Sequence, residues 1–199
     1  MTGRSATERA DDESALPGVG GRLRAGVETI LSRVRSRRIR PTEPPIRFAD
    51  ESGREVLLRP YRDGDFDGLV GMYETFDPSE RAQGTPPIGS AAIEEWLETL
   101  TEGVNAVAVV DDRPIGHMSF VPDGTGRHEL AIFVHQDYQK AGIGSRLLAA
   151  GLGHARAEGI DYVWLSVERN KGHLLRLYSR AGFSAVNPLG FTPRMSRYL

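Results

Sequence analysis

The sequence contains no cysteine among its 199 residues. Disulfide bridges, thiolate metal sites and thiol nucleophiles are therefore excluded, and the cysteine-dependent enzymes with them. Long apolar runs are also missing, because no stretch approaches the ~18 residues of a membrane-spanning helix. The first residues, "MTGRSATERADDES", lack the apolar segment of a signal peptide. We therefore expect a cytoplasmic protein.

Net charge is small over the whole chain but unevenly distributed. Lysine and arginine total 25 against 27 aspartates and glutamates, which gives a formal net charge of −2. Residues 1–45 carry nine arginines against six acidic residues, so a basic leader precedes a mildly acidic body. With 39% hydrophobic residues, a chain of this length has room for one well-packed domain and an appendage.

The leader divides into two parts. Residues 1–20 are polar and rich in glycine, a composition typical of disordered segments. Residues 22–40 place apolar side chains at helical spacing, with seven arginines mostly off that stripe, and so predict a basic amphipathic helix. Such a helix suits nucleic acid or an anionic membrane surface, but we favour docking on the body or on a second subunit of a homodimer. "PTEPP" ends the leader, which places the domain boundary between residues 1–45 and 46–199.

The body alternates strand and helix patterns. The strand "EVLLRPY" precedes a helix from about Asp63, and Ser90 is the expected N-cap of a second helix. "NAVAVV", "IGHMSFV" and "HELAIFVH" predict an antiparallel meander. A helix closed by Gly159, the strand "YVWLSV", a helix over "GHLLRLYSRA", and the strands "FSAV" and "RMSRYL" follow. This order predicts an α+β fold with a mixed sheet.

A glycine-containing stretch, "YQKAGIGSRLL" at residues 138–148, follows an apolar strand and opens a helix. Gly142 and Gly144 suit a phosphate cradle or a sharp turn, because glycine tolerates positive φ. A Walker loop needs Gly-Lys-Ser/Thr, and the dinucleotide fingerprint needs a third glycine where Leu147 stands, so both are excluded. What remains is Gln139-x-x-Gly142-x-Gly144 at a helix N-terminus, where free N–H groups and the helix dipole favour an anion.

This stretch resembles the diphosphate-binding segment of the GCN5-related N-acetyltransferases (GNAT), whose pattern is Gln/Arg-x-x-Gly-x-Gly/Ala. "LYSRAGF" at residues 177–183 resembles the second signature of that family, Leu-Tyr-x-x-x-Gly-Phe. The resemblance covers about residues 55–199. It implies a GNAT-like fold, with a mixed, mostly antiparallel sheet of about six to seven strands flanked by about four helices.

The resemblance also implies acetyl-CoA as co-substrate. One strand would diverge from its neighbour after a bulge, and the pantetheine arm would pair in the gap with Ile132, Phe133 and Val134. Asn170 would also contact this arm, although the family more often has asparagine one residue later, where Lys171 stands. The diphosphate would lie on the amides of Gln139, Lys140, Ala141, Gly142, Ile143, Gly144 and Ser145.

The chemistry requires a general base, because a lysine-like amine with a pKa near 10.4 is almost entirely charged at pH 7. The resemblance implies Glu129 as this base, directly or through a water, and Tyr178 as the acid that returns a proton to the departing thiolate. The alternatives are an arginine-paired Glu129 at a strand edge and a core Tyr178. His128 is an alternative base, although adjacent strand residues face opposite sides of a sheet.

A metal site is not expected, because the five histidines show no i, i+4 pair and no nearby acidic ligand set. The acceptor amine should be chosen by the loop "FDPSERAQGTPPIG", where Asp77 and Glu80 either attract a cation or are ordinary solvated charges. We favour a protein lysine or N-terminal amine as acceptor, and a small amine such as a polyamine or aminoglycoside second. The rival class is a non-catalytic acyl-CoA sensor that acts through its leader.

Overall fold

A computed structural model of the chain describes residues 38–81, 85–186 and 193–199. The predicted disordered segment and residues 22–37 of the predicted basic helix lie outside the described residues, and residues 38–40 are not helical. The compact unit that contains every described residue begins at Arg38, earlier than the boundary expected after residue 45.

One sheet of eight strands runs through the described part of the chain. Its spatial order is β1-β2-β3-β4-β5-β6-β8-β7, and every neighbouring pair is antiparallel except β5 and β6. This confirms the mixed, mostly antiparallel sheet. The sheet has eight strands where about six to seven were expected, and β1 is the one described strand that the sequence patterns did not predict. The strands are β1 Ile46–Ala49, β2 Glu55–Pro60, β3 Val104–Val110, β4 Arg113–Pro122, β5 His128–Val134, β6 Tyr162–Ser166, β7 Ser184–Ala185 and β8 Arg194–Tyr198.

Four α-helices lie within the described ranges, and none of them is long and apolar enough to cross a membrane. The prediction that Ser90 is an N-cap is wrong. Gly89 occupies the cap with a φ of +92°, and the Ser90 hydroxyl donates to Glu94 Oε1 at 3.4 Å from inside the first turn. The helices are α1 Phe66–Glu74, α2 Ser90–Thr101, α3 Ile143–Ala157 and α4 Gly172–Arg180.

Helices cover both faces of the sheet, which accounts for the apolar run of β3 from Ala106 to Val110. Ala106 and Ala108 belong to a core cluster with residues of α3 and α4, whereas Val107 and Val109 belong to a second cluster with α1 and α2. The alternation of a strand therefore separates two cores, one on each side of the sheet.

The segment 38–45 is held against α3 and α4 by backbone contacts. The Ile39 amide donates to the Arg180 carbonyl at 2.9 Å, and the Thr42 amide donates to the Ala149 carbonyl at 3.0 Å. At Gly153 the approach is so close that a Cβ atom would meet the Thr42 carbonyl and lie 2.8 Å from the Glu43 nitrogen. Glycine at this position lets the chain cross the helix in contact with its backbone.

We predict that Gly153→Ala lowers the free energy of unfolding by about 1–3 kcal/mol, because the added methyl displaces the crossing segment. The matched control is Gly71→Ala in α1, where nothing lies within 4 Å of the Cβ position. There alanine should be neutral or stabilising by up to about 1 kcal/mol through its helix propensity. Thermal and denaturant unfolding of both variants measures the difference, and equal effects would contradict the close crossing.

Candidate active site

The parallel strands β5 and β6 pair only where they begin. β5 continues to Val134, but its pairing with β6 stops at Glu129. Past that point the two strands leave a gap inside the sheet. The register pairs between them are His128 with Val163 and Glu129 with Trp164.

The gap opens without the expected bulge in β5. Pairing between β4 and β5 runs without a register shift from His128 to Val134. The irregular register lies further back, between Ala108 and Val109, where β3 pairs with β4. The implied bulge in β5 is therefore wrong, and β6 diverges while β5 stays continuous.

Backbone groups of β5 point into this gap at alternate residues. The His135 amide donates to the Ile115 carbonyl at the start of β4 at 2.9 Å. The direction of the backbone hydrogen bonds alternates along an antiparallel strand. The N–H and C=O groups of Phe133 therefore also point to β4, whereas those of Ile132 and Val134 point into the gap. The Val134 carbonyl accepts a hydrogen bond from the side chain of Gln139 at 3.0 Å. Of the three residues expected to pair with pantetheine, Ile132 and Val134 therefore present main-chain groups to the gap, and Phe133 does not.

Helix α3 begins just after β5 and its following turn. Gly142 caps the helix in the left-handed region with a φ of +81°, and Lys140 before it has a φ of +58°. The Ser145 hydroxyl donates back to the Gly142 carbonyl at 2.9 Å. The first amides of an α-helix lack partners within the helix and carry roughly half a positive charge, so this end suits an anion.

A cavity of about 800 Å³ includes both the gap and the start of α3. Ala141 and Ile143 are buried and do not line it. Asn170 is exposed and also lies outside the lining, which includes Lys171 instead. The sequence-predicted residues that do line the cavity are Glu129, Ile132, Phe133, Val134, Gln139, Lys140, Gly142, Gly144, Ser145 and Tyr178.

Glu129 lines the cavity from an exposed position at the start of β5. Partial loss of hydration raises the pKa of its carboxyl above the ordinary value, the positive charge of Arg194 lowers it, and the charge of Asp123 raises it. Within the described ranges Glu129 forms no ion pair within 4 Å, since the Arg194 guanidinium lies over the Trp164 ring at 3.9 Å. Among the described residues, no arginine therefore pairs directly with the Glu129 carboxylate, and Arg194 acts on it only through its charge at longer range.

Tyr178 lies on α4 and is buried. Its ring packs against Phe183 with the centroids 5.8 Å apart, and burial raises the pKa of its hydroxyl to about 12. Tyr178 combines a core position with a place in the cavity lining. It therefore holds its proton throughout the neutral range.

Gln136, a residue that sequence reasoning missed, connects the loop after α1 to the segment that follows β5. Gln136 accepts from the Asp77 amide at 3.1 Å and donates to the Thr75 carbonyl at 2.8 Å. Of the two acids expected to attract an amine, Glu80 lines the cavity. Asp77 instead accepts hydrogen bonds from the amide and hydroxyl of Ser79 at 2.8 and 2.7 Å.

A buried hydrogen-bonded chain that links α1 to β3 and β4 was also missed. Asn105 donates both amide hydrogens to the carbonyls of Leu100 and Gly103, at 2.9 and 2.7 Å. Its oxygen must then accept from His117 Nε2 at 2.8 Å, so His117 Nδ1 accepts from the Tyr73 hydroxyl at 2.8 Å. Desolvation lowers the pKa of His117 to about 3, which keeps the imidazole neutral.

Aromatic rings pack around Tyr73, the residue at one end of this hydrogen-bonded chain. The Tyr73 ring meets Trp96 and Phe133 edge to face, with centroids 5.0 and 5.6 Å apart. Phe76 stands 6.0 Å from Phe133, and these two rings line the cavity. The contacts join residues of α1, α2 and β5, and a local pattern in the sequence carries no signal for them.

Comparison with known proteins agrees with this geometry. Residues 67–183 match the model of the acetyltransferase (GNAT) family, which is more than half of the chain. The chain belongs to the GNAT family. It is 28% identical over 146 residues to mycothiol acetyltransferase of Propionibacterium freudenreichii, which covers 69% of this chain and 46% of that protein. The chain thus spans about half the length of the curated relatives it matches.

Solved GNAT structures share the fold. The GNAT domain of S. lividans PAT superposes with a TM-score of 0.66 at 18% identity, covering 77% of this chain and 96% of that one. The Paia N-acetyltransferase of Thermoplasma acidophilum, solved in complex with coenzyme A, has a TM-score of 0.57 at 15% identity and covers 72% of this chain and 99% of that one. The predicted GNAT-like fold is confirmed.

The neutral, buried His117 predicts a loss of stability in acid. Its pKa is about 3 in the fold, against about 6.5 in an unfolded chain. The unfolded state therefore binds the additional proton, and the free energy of unfolding should fall as the pH drops from about 6.5 towards 3, by up to ~4–5 kcal/mol. Denaturant titrations between about pH 7 and 4 should show a shallower fall for His117→Gln, and parallel curves would contradict the assignment.

Proposed function

We propose that the chain transfers an acetyl group from acetyl-CoA to a primary amine. The observation that carries the proposal is the gap between β5 and β6, which leads to the start of α3. An extended arm in this gap would find main-chain partners at Ile132 and Val134, as an added strand does. A diphosphate at the end of that arm would meet the first amides of α3. Membership of an acetyltransferase family supports this assignment.

Glu129 is the proposed base. Producing a neutral amine from one with a pKa of 10.4 costs about 4.6 kcal/mol at pH 7. The raised pKa of Glu129 makes it a stronger base than an ordinary carboxylate, and its exposed position lets the proton continue to solvent. The proton reaches this carboxylate directly or through a water, and the neutral nitrogen then attacks the thioester carbon.

Tyr178 is proposed to meet the departing sulfur as a hydrogen-bond donor. Burial raises the pKa of its hydroxyl to about 12, whereas a thiol has a pKa near 8.5, so complete transfer would be uphill by about 5 kcal/mol. The hydroxyl can stabilise the thiolate without giving up its proton, because a hydrogen bond to a charged group contributes about 1.5–3 kcal/mol. The sulfur then takes its proton from the acylated nitrogen or from solvent.

Two classes of acceptor amine are consistent with the proposed reaction. The sequence favours a protein lysine or N-terminal amine, whereas the similarity to mycothiol acetyltransferase favours a small molecule. Glu80 and Glu129 both line the cavity, which suits a cationic amine of either class. A non-catalytic acyl-CoA sensor would bind the same cofactor but show no turnover.

We predict that Glu129→Gln lowers kcat by about 10²-fold or more, the usual contribution of a positioned base. Tyr178→Phe should lower kcat by about 10- to 100-fold, from the loss of a hydrogen bond to a charged group. Coenzyme A affinity, measured by calorimetry, should stay close to that of the parent in both variants. Glu94→Gln on the exposed side of α2 serves as control, and full activity in either site variant would contradict the assigned role.

The acceptor class can be decided with isotopically labelled acetyl-CoA. The protein is incubated with a host lysate, and proteins and metabolites are then separated and analysed by mass spectrometry. Label on lysines or N-termini supports a protein acceptor, and label on a small amine supports a small-molecule acceptor. Tight binding of coenzyme A with no label in either fraction would overturn the enzymatic proposal in favour of the sensor.

A further inference from the structure

The turn between β1 and β2, residues 50–54, is organised around one buried carboxylate. The Asp50 side chain is fully buried and accepts from the amides of Ser52 and Arg54 at 2.8 and 2.9 Å. The same carboxylate pairs with the Arg54 guanidinium, with its Oδ2 at 2.7 Å from both Nε and the second terminal nitrogen. Gly53 completes the turn with a φ of +81°. The turn is therefore rigid, and it aims Arg54 in one direction.

That direction is the segment leading into α3. The remaining terminal nitrogen of Arg54 donates to the Asp137 carbonyl at 3.1 Å, and its guanidinium carbon lies 4.3 Å from the centre of the Tyr138 ring. The Glu51 amide donates to the Ala141 carbonyl at 3.2 Å. These contacts hold residues 137–141, immediately before the helix cap.

The held segment is one that needs support. Lys140 has a φ of +58°, a left-handed conformation that costs a residue with a side chain roughly 1 kcal/mol or more. Gly142, the N-cap of α3, lies next to the same turn. A Cβ atom on Gly142 would lie 3.2 Å from Glu51 Oε1, so the turn also packs against the cap. An amide cradle already held in shape binds its anion more tightly than one that must be ordered on binding.

The turn lies outside the range that matches the family model, which begins at residue 67. The sequence patterns did not predict β1, the first strand of this hairpin. The support is thus supplied by the N-terminal hairpin, from a part of the chain to which the family match assigns no role.

We propose that Asp50 and Arg54 are positioning residues for the diphosphate site, which hold residues 137–141 so that the first amides of α3 face the ligand. This inference rests on the proposed use of the α3 N-terminus for coenzyme A. The two residues act through the loop, because the Arg54 guanidinium is directed at Asp50, the Asp137 carbonyl and Tyr138. Their removal should therefore weaken cofactor binding and leave the chemical step unchanged.

The test compares two partly buried arginine–aspartate pairs in the full chain. Arg54→Lys and Arg54→Ala disturb the pair described above. Arg59→Lys and Arg59→Ala disturb the control pair, in which the Arg59 guanidinium contacts both oxygens of Asp65 at 2.6 and 2.7 Å, just before α1. Lysine cannot reproduce a forked contact, so the conservative variants of both pairs test geometry at constant charge.

Coenzyme A binding by calorimetry and hydrogen exchange of residues 137–145 without ligand are the two readouts. Arg54→Ala should weaken coenzyme A binding about 10-fold and speed this exchange, with a smaller effect for Arg54→Lys, because preorganisation is lost. The KM for acetyl-CoA should rise while kcat is unchanged. The Arg59 variants should lower thermal stability but keep coenzyme A affinity within about 2-fold of the parent, since their pair does not hold the loop.

Three results separate the possible failures. If the parent binds coenzyme A and Arg54→Ala binds equally well with unchanged exchange, the positioning role is wrong. Equal losses of affinity in the Arg54 and Arg59 variants would reduce it to general stability and overturn it as well. If the parent itself does not bind coenzyme A, the proposed function fails first. Should Arg54→Ala not fold, Tyr138→Leu removes the stacked ring and should still weaken binding by about 2- to 3-fold.

Discussion

A strand inside a sheet that loses its neighbour leaves backbone donors and acceptors without partners, and this constraint governs the site. β5 pairs with β4 along its whole length but with β6 only as far as Glu129. Backbone groups buried from water must find partners, so the exposed edge is a place for water or an extended ligand. The gap, the cavity and the start of α3 follow from this one departure from regular pairing.

The two faces of β5 then acquire different tasks. Leu130, Ile132 and Val134 pack in the core that contains α3 and α4, on the side where Tyr178 is buried. Phe133 packs in the opposite core with the aromatic rings of α1 and α2. The hydrogen-bonded chain of Tyr73, His117 and Asn105 lies on that second side and links α1 to β4 and β3. Under the proposed function, this one strand contributes both to the cofactor side and to the acceptor side of the cavity.

Much of the fold could be predicted, because the spacing of apolar residues along the chain indicates where most helices and strands lie. The apolar stripes gave the helices, and the glycine pattern located the start of α3 at Gly142. β1 was missed because four residues with two exposed positions give too short an alternation, and its turn depends on the buried Asp50. The Ser90 cap failed because Gly89 supplies the backbone conformation that ends the preceding loop. His117 and the contacts of Arg54 with the segment before α3 could not be assigned. Tyr73 and Asn105 are distant from His117 in sequence, as Asp137 and Tyr138 are from Arg54, and the fold brings them together.

The most direct measurement is a crystal structure of the protein with coenzyme A. The account predicts that the diphosphate lies on the amides at the start of α3, with the pantetheine arm along the gap edge of β5 and hydrogen-bonded to Ile132 and Val134. A coenzyme A bound elsewhere, or a β6 that closes onto β5 and leaves no gap, would contradict it.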